Sequence, residues 1–176
     1  MWLKDIYDAI LGLQPECYEV QDAKFLAAST DYAAEDVLSG SATINSLFEF
    51  SPMSKKDGRT GTITDAVSFC SVTALIPRIT LYLFNKIPTT NMLDNVANTA
   101  PSTDDLPYYQ KRIDFQAWED LGGGSCAIAT EGTYGNLPLK YKCITKKIYG
   151  IAVTRDAITG ESAGMKLAFK LWVRFD

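Results

Sequence analysis

From about residue 40 the chain is written in short runs rich in Val, Ile, Thr, Tyr, Phe and Trp: Ser41–Phe50, Gly61–Cys70, Ile79–Phe84, Arg112–Trp118, Ser125–Thr130, Leu137–Cys143, Lys147–Thr154 and Met165–Phe175. Between them lie turn-forming stretches such as Lys56-Asp57-Gly58, Asn85–Thr90, Gly122-Gly123-Gly124 and Gly132–Asn136. The last run alternates cleanly, with Leu167, Phe169, Leu171, Val173 and Phe175 on one side and Lys166, Lys170 and Arg174 on the other. A period of two is the signature of a strand with one wet and one buried face. Eight or nine such runs without an intervening helical pattern predict an all-β chain, an antiparallel β-sandwich of jelly-roll-like form. The longest irregular stretch, Asn85 to Gln110, holds Pro88, Pro101 and Pro107; it is either a functional loop or a crossing between the sheets.

The first residues follow a different period. Leu3, Ile6, Tyr7, Ile10 and Leu11 stand at helical spacing, with Lys4, Asp5 and Asp8 on the other side and Gly12 placed to end the helix. A helix of about ten residues is marginal alone in water, so this face must dock on something. It packs either on its own domain or on a neighbouring subunit or partner. Residues 1–30 are therefore expected to be an acidic N-terminal arm or helix, and residues 31–176 the sandwich. Charge supports the division: residues 1–40 carry two lysines against eight carboxylates, and the remainder carries 15 bases against 13 acids. The eight bases of residues 136–176 alternate with apolar residues and read as a solvated strand face.

At 176 residues the chain is long enough for one domain with a real core, and 47% of it is hydrophobic. The formal net charge is −4, which argues against nucleic acid as a partner. There is no histidine, so Ser-His-Asp and Cys-His catalysis and His-dependent zinc sites are excluded. The four cysteines, at 17, 70, 126 and 143, form no CxxC pair and are expected to be buried free thiols. No signal peptide or membrane span is read in the sequence, which points to folding in a reducing cytoplasm.

Four constellations invite chemistry. Gly122-Gly123-Gly124-Ser125 has the look of a phosphate loop, but its flanks are strand-like and predict a turn. Glu119 and Asp120 are adjacent carboxylates that a strand would point to opposite faces. Asp94 with Asp104-Asp105 offers oxygens to calcium without the spaced ladder of a calcium loop, so turn and cap roles are expected. Tyr108, Tyr109, Trp118 and Tyr134 would make a stacking platform for sugars if exposed together, or core residues if not. No catalytic residue, cofactor site or metal site is predicted.

A longer pattern runs through the chain. Tyr32-Ala33-Ala34-Glu35-Asp36-Val37-Leu38-Ser39-Gly40 is followed by Gly58–Val67, Ile79–Asn85 with Pro88, Asp94-Asn95, Ile113-Asp114-Phe115, Trp118, Asp120-Leu121-Gly122, Leu137–Tyr141 and Ile148–Arg155. This order resembles the β-sandwich decoration or cement proteins of tailed bacteriophages, auxiliary proteins of the capsid. Glu35 departs from it, standing where the turn of that pattern takes a glycine. The resemblance implies a structural virion protein, made in the bacterial cytoplasm and bound to the outer capsid surface, with the major capsid protein as partner. A second copy of itself and a head-fibre protein are further partners on this reading, with no enzymatic activity. The arm would then anchor the protein to the capsid or to sister subunits through Trp2, Leu3, Ile6, Tyr7, Ile10 and Leu11. The rival reading is a head-fibre or tail attachment module that binds a host glycan or serves as an adaptor.

Overall fold

The computed structural model describes residues 17–27, 30–132, 136–159 and 164–176. They fold into two packed antiparallel sheets built from β1 (Cys17–Phe25), β2 (Val37–Leu38), β3 (Phe48–Phe50), β4 (Thr60–Cys70), β5 (Ile79–Phe84), β6 (Tyr109–Phe115), β7 (Glu119–Asp120), β8 (Ser125–Ala129), β9 (Leu139–Lys142), β10 (Ile148–Thr154) and β11 (Lys166–Phe175). One sheet has the order β1-β11-β4-β8-β7, with β9 also paired to β4; the other is β2-β10-β5-β6, with β3 also paired to β10. The chain therefore passes repeatedly from one sheet to the other, and the all-β sandwich expected from the alternation is what forms. The arm residues Trp2, Leu3, Ile6, Tyr7, Ile10 and Leu11 lie outside the described residues.

Strand β11 shows how the sequence builds this. Leu167, Phe169, Leu171 and Val173 are completely buried and face the opposite sheet, while Lys166 and Arg174 are exposed on the outer side. Against them, β4 keeps its own apolar residues inward only by means of a bulge. Ile63 pairs with Val173 and Asp65 with Trp172, so Thr64 is the extra residue, and its hydroxyl reaches the Trp172 carbonyl at 3.4 Å. The bulge resets the alternation so that Ile63 and Ala66 both point into the core. Between the sheets Phe48 meets Phe169 edge to face at 4.8 Å, and Phe115 packs on the same ring.

The middle of the five-stranded sheet is covered on both faces, which is why Ile79–Phe84 is buried at every position. The apolar part of its outer face is covered by residues 85–108, which bring Met92 and Ala100 onto Tyr82, Phe84, Ile151, Val153 and Val37. This long stretch joins β5 to β6 within one sheet, so it is no crossing between sheets but an excursion that folds back as a cover. Main-chain bonds from Val37 to the Val96 carbonyl (2.9 Å) and from Asn98 to the Glu35 carbonyl (2.8 Å) hold it down.

The sequence reading placed Cys17–Phe25 in the arm, whereas all nine residues pair with β11 as the outermost strand of the six-stranded sheet. Alternation is masked there because the inward positions are Tyr18, Val20, Asp22 and Lys24, of which two are charged. Strands β2 and β7, two residues each, are too short to carry a period.

Candidate interaction surface

The constellations that invite chemistry resolve into structural roles. Gly122–Gly124 is the turn between β7 and β8: the Leu121 amide donates to the Gly124 carbonyl (2.8 Å), and the Asp120 carboxylate accepts from the Gly122 amide (2.8 Å). A side chain at Gly124 would meet the Cys70 carbonyl at 2.5 Å and the Phe69 ring at 2.7 Å, which explains a glycine there. Glu119 and Asp120 are both exposed in that hairpin.

Asp94 and Asp105 are buried in separate loop cores. The Asp94 carboxylate accepts from the Ser39 amide (2.6 Å), the Ala27 amide (3.0 Å) and the Tyr32 hydroxyl (2.8 Å). Asp105 accepts from the Thr89 amide (2.7 Å), the Thr89 hydroxyl (3.0 Å) and the Ser102 hydroxyl (2.8 Å). Burial pushes the Asp105 carboxyl up, but these donors outweigh it and leave it below its ordinary value. Asp104 is exposed. Among the described residues no group of His, Cys, Asp or Glu is placed to hold a metal ion, and no helix is long and apolar enough to cross a membrane.

The aromatic platform is not assembled. Trp118 is 2% exposed, and its indole N–H donates to the Ser68 hydroxyl inside the sandwich (2.7 Å). Tyr109 packs on Tyr82 and Phe84 at the edge of the covered face. Tyr108 lies instead beside Lys86, 4.5 Å from its ammonium. Tyr134 is outside the described residues. All four cysteines are free; Cys70 and Cys143 are buried, Cys126 is half-buried and Cys17 is exposed. The expectation of buried thiols thus holds for two of the four. Burial raises both the Cys70 and the Cys143 thiol above the ordinary range, so neither is a ready nucleophile.

Two surface features remain. The first is a basin on the outer side of the five-stranded sheet, lined by Glu35, Arg78, Thr80, Arg112, Asp114, Phe115 and Arg155. The Arg155 guanidinium donates to the Thr80 hydroxyl and the Tyr82 hydroxyl, each at 2.8 Å, and pairs with the Glu35 carboxylate. Arg112 pairs with Asp114 (3.0 Å), which also accepts from Thr80 and Asn136. Arg78 grips Asp156 through two nitrogens, at 2.7 and 3.0 Å. Opposite charges are thus presented in fixed places, a surface suited to polar complementarity with a partner. Glu35, which sequence marked as a departure from a glycine position, sits at φ +70°; the backbone does take the left-handed form that favours glycine.

The second is the outer face of the six-stranded sheet. Cross-strand rows there read Ala23–Ala168–Phe69–Cys126, then Lys170–Val67–Ile128, then Trp172–Asp65. A shallow groove runs between Asp65, Val67, Ile128, Thr130 and Trp172. Ile128 is 59% and Phe69 38% exposed. The Glu19 carboxylate fixes the tryptophan, accepting from its indole N–H (3.0 Å) and pairing with Lys170 (2.6 Å), whose ammonium lies 4.8 Å from the Trp172 ring. Sequence alone did not point to this face, because Phe69 and Ile128 occupy the solvent side of their alternations and become a patch only once the register aligns them.

No family model matches the chain, and no curated protein sequence matches it. Two solved structures of viruses show some likeness. A marine algae virus of the order Picornavirales superposes over 92% of this chain and 69% of its own, at 13% identity and a TM-score of 0.26. The infectious bursal disease virus Gt strain does so over 93% of this chain and 41% of its own, at 12% identity and a TM-score of 0.21. At such scores the likeness carries no argument about function.

Proposed function

We propose that this chain is a structural virion protein of a tailed bacteriophage, a decoration or cement protein bound to the outer capsid surface and reinforcing contacts between major capsid proteins. The observation that carries this is the ordered series of motifs from Tyr32 to Arg155. Their residues form the frame of the molecule: Ile79–Phe84 and Ile148–Thr154 pair as β5 and β10, Tyr32 bonds Asp94, and Trp118 bonds Ser68. Such a role asks for surface complementarity and for no reacting group; a protein that binds only the assembled shell stabilises it by mass action. Repetition of the site over a symmetric shell makes a modest affinity sufficient. The paired charges of the Glu35–Arg155 basin fit a contact of this kind.

The test is reconstitution on purified shells stripped of auxiliary proteins. Added protein is expected to cosediment with the shells and to raise their melting temperature. Shells that neither retain the protein nor melt higher at saturating concentration would overturn the assignment.

A further inference from the structure

The two sheets are treated unequally. The apolar part of the outer face of the five-stranded sheet, around Tyr82, Phe84, Ile151 and Val153, is covered by the chain's own residues 85–108, whereas the described residues leave the outer face of the six-stranded sheet open around Phe69, Val67, Ile128 and Trp172. We propose that residues 2–11 of the same chain are the cover for this second face, with Leu3, Ile6, Tyr7, Ile10 and Leu11 laid over the groove beside Trp172.

Three observations place them there. The segment joins the fold at Cys17, the first residue of β1, in the very sheet whose face is open; Cys17 lies opposite Arg174, and Glu19 opposite Trp172. Reach is sufficient. The groove lies over β11, β4 and β8, roughly 10 Å from β1 at the spacing of neighbouring strands, and the five residues Gly12–Glu16 span up to about 17 Å when extended. Chemistry matches as well. Five apolar residues at helical spacing make a stripe about 12 Å long, which spans the three strands that carry Trp172, Val67 and Ile128, and Lys4, Asp5 and Asp8 on the opposite side remain in water. Covalent attachment through a short linker gives the chain's own segment a millimolar effective concentration, which favours it over the same segment of another copy. This inference does not depend on the virion reading.

The experiment uses Ile128→Cys as a reporter in a chain where Cys17 and Cys126 are serine, the remaining thiols being buried. Maleimide labelling of residue 128 is expected to be slow in the whole chain and at least about tenfold faster after removal of residues 1–14. In a full-length variant carrying Ile6→Asp and Ile10→Asp the same acceleration is expected, so the answer does not depend on the truncated chain alone. Protection should be the same at micromolar and at hundredfold higher concentration. Equal labelling rates with and without the segment would overturn the proposal. So would protection that appears only with dimer formation in sedimentation, which would give the face to a second copy.

Discussion

Asp94 shows how much one side chain organises. Its carboxylate collects two amides and a phenol from three segments distant in sequence, the end of β1, the Tyr32 turn and the residue after β2, while its own amide is tied to the Ser41 carbonyl. All three carboxylate donors are uncharged, so removing the acceptor strands them in a nearly dry site. Asp94→Ala is expected to lower the unfolding free energy by about 3 kcal/mol in urea titration, with unchanged far-ultraviolet circular dichroism at zero denaturant. The sequence offered Asp94 as an oxygen ligand or as a turn residue; only the turn role could be argued from its neighbours, and its long-range partners could not. Glu35 was legible in a finer way, since a missing glycine in the Tyr32–Gly40 pattern marked the one residue of that turn with a positive φ.

Among the elements, β1 is the least legible and the most exposed to error. Its outer edge is unpaired by any strand in the described fold, and a long free edge invites pairing with other chains. Asp22 counters this. It points toward the core side, accepts from its neighbour Ala23 (2.7 Å) and from the Glu49 amide of β3 (2.8 Å), and holds Lys24 at 3.4 Å. The same charges that protect the edge hid the strand from a reading based on alternation. Asp22→Val is expected to cost only about 1 kcal/mol in urea titration, because the Glu49 amide lies near water, yet to produce concentration-dependent association by light scattering. By contrast β5 and β11 were readable almost to the residue, one as a continuous apolar run and the other as strict alternation, since each is governed by burial alone. The cover formed by residues 85–108 was not, because its apolar contacts are isolated residues such as Met92 and Ala100 that show no period.

At the scale of the whole molecule, carboxylates lowered on folding set the response to acid; among the described residues these are Asp156, Asp105 and the exposed Glu19, the last held down by its bonds to Lys170 and Trp172. The Asp156 carboxyl is lowered to about 2, chiefly by the side chain and backbone N–H of Arg78, against the opposing effect of burial, and Asp105 is lowered by its ring of donors. A carboxyl that holds its proton less tightly when folded stabilises the fold above its ordinary pKa near 4, and loses that contribution as pH falls toward the folded value. With no histidine in the chain, the urea midpoint is expected to be level between pH 5 and 8 and to fall between about pH 4 and 2. Asp105→Asn should be less stable at neutral pH and show a shallower acid decline. A midpoint that drops between pH 7 and 5 would contradict this.

The arrangement of β4 has a consequence for how such a molecule comes apart. One edge of this strand is zipped to β11 along nearly its whole length, and the other is divided between β8 and β9. Sliding it by a single step would strip three neighbours at once and turn its dry residues outward. Under load or heat the strands joined through β4 are therefore expected to part together rather than one pair at a time.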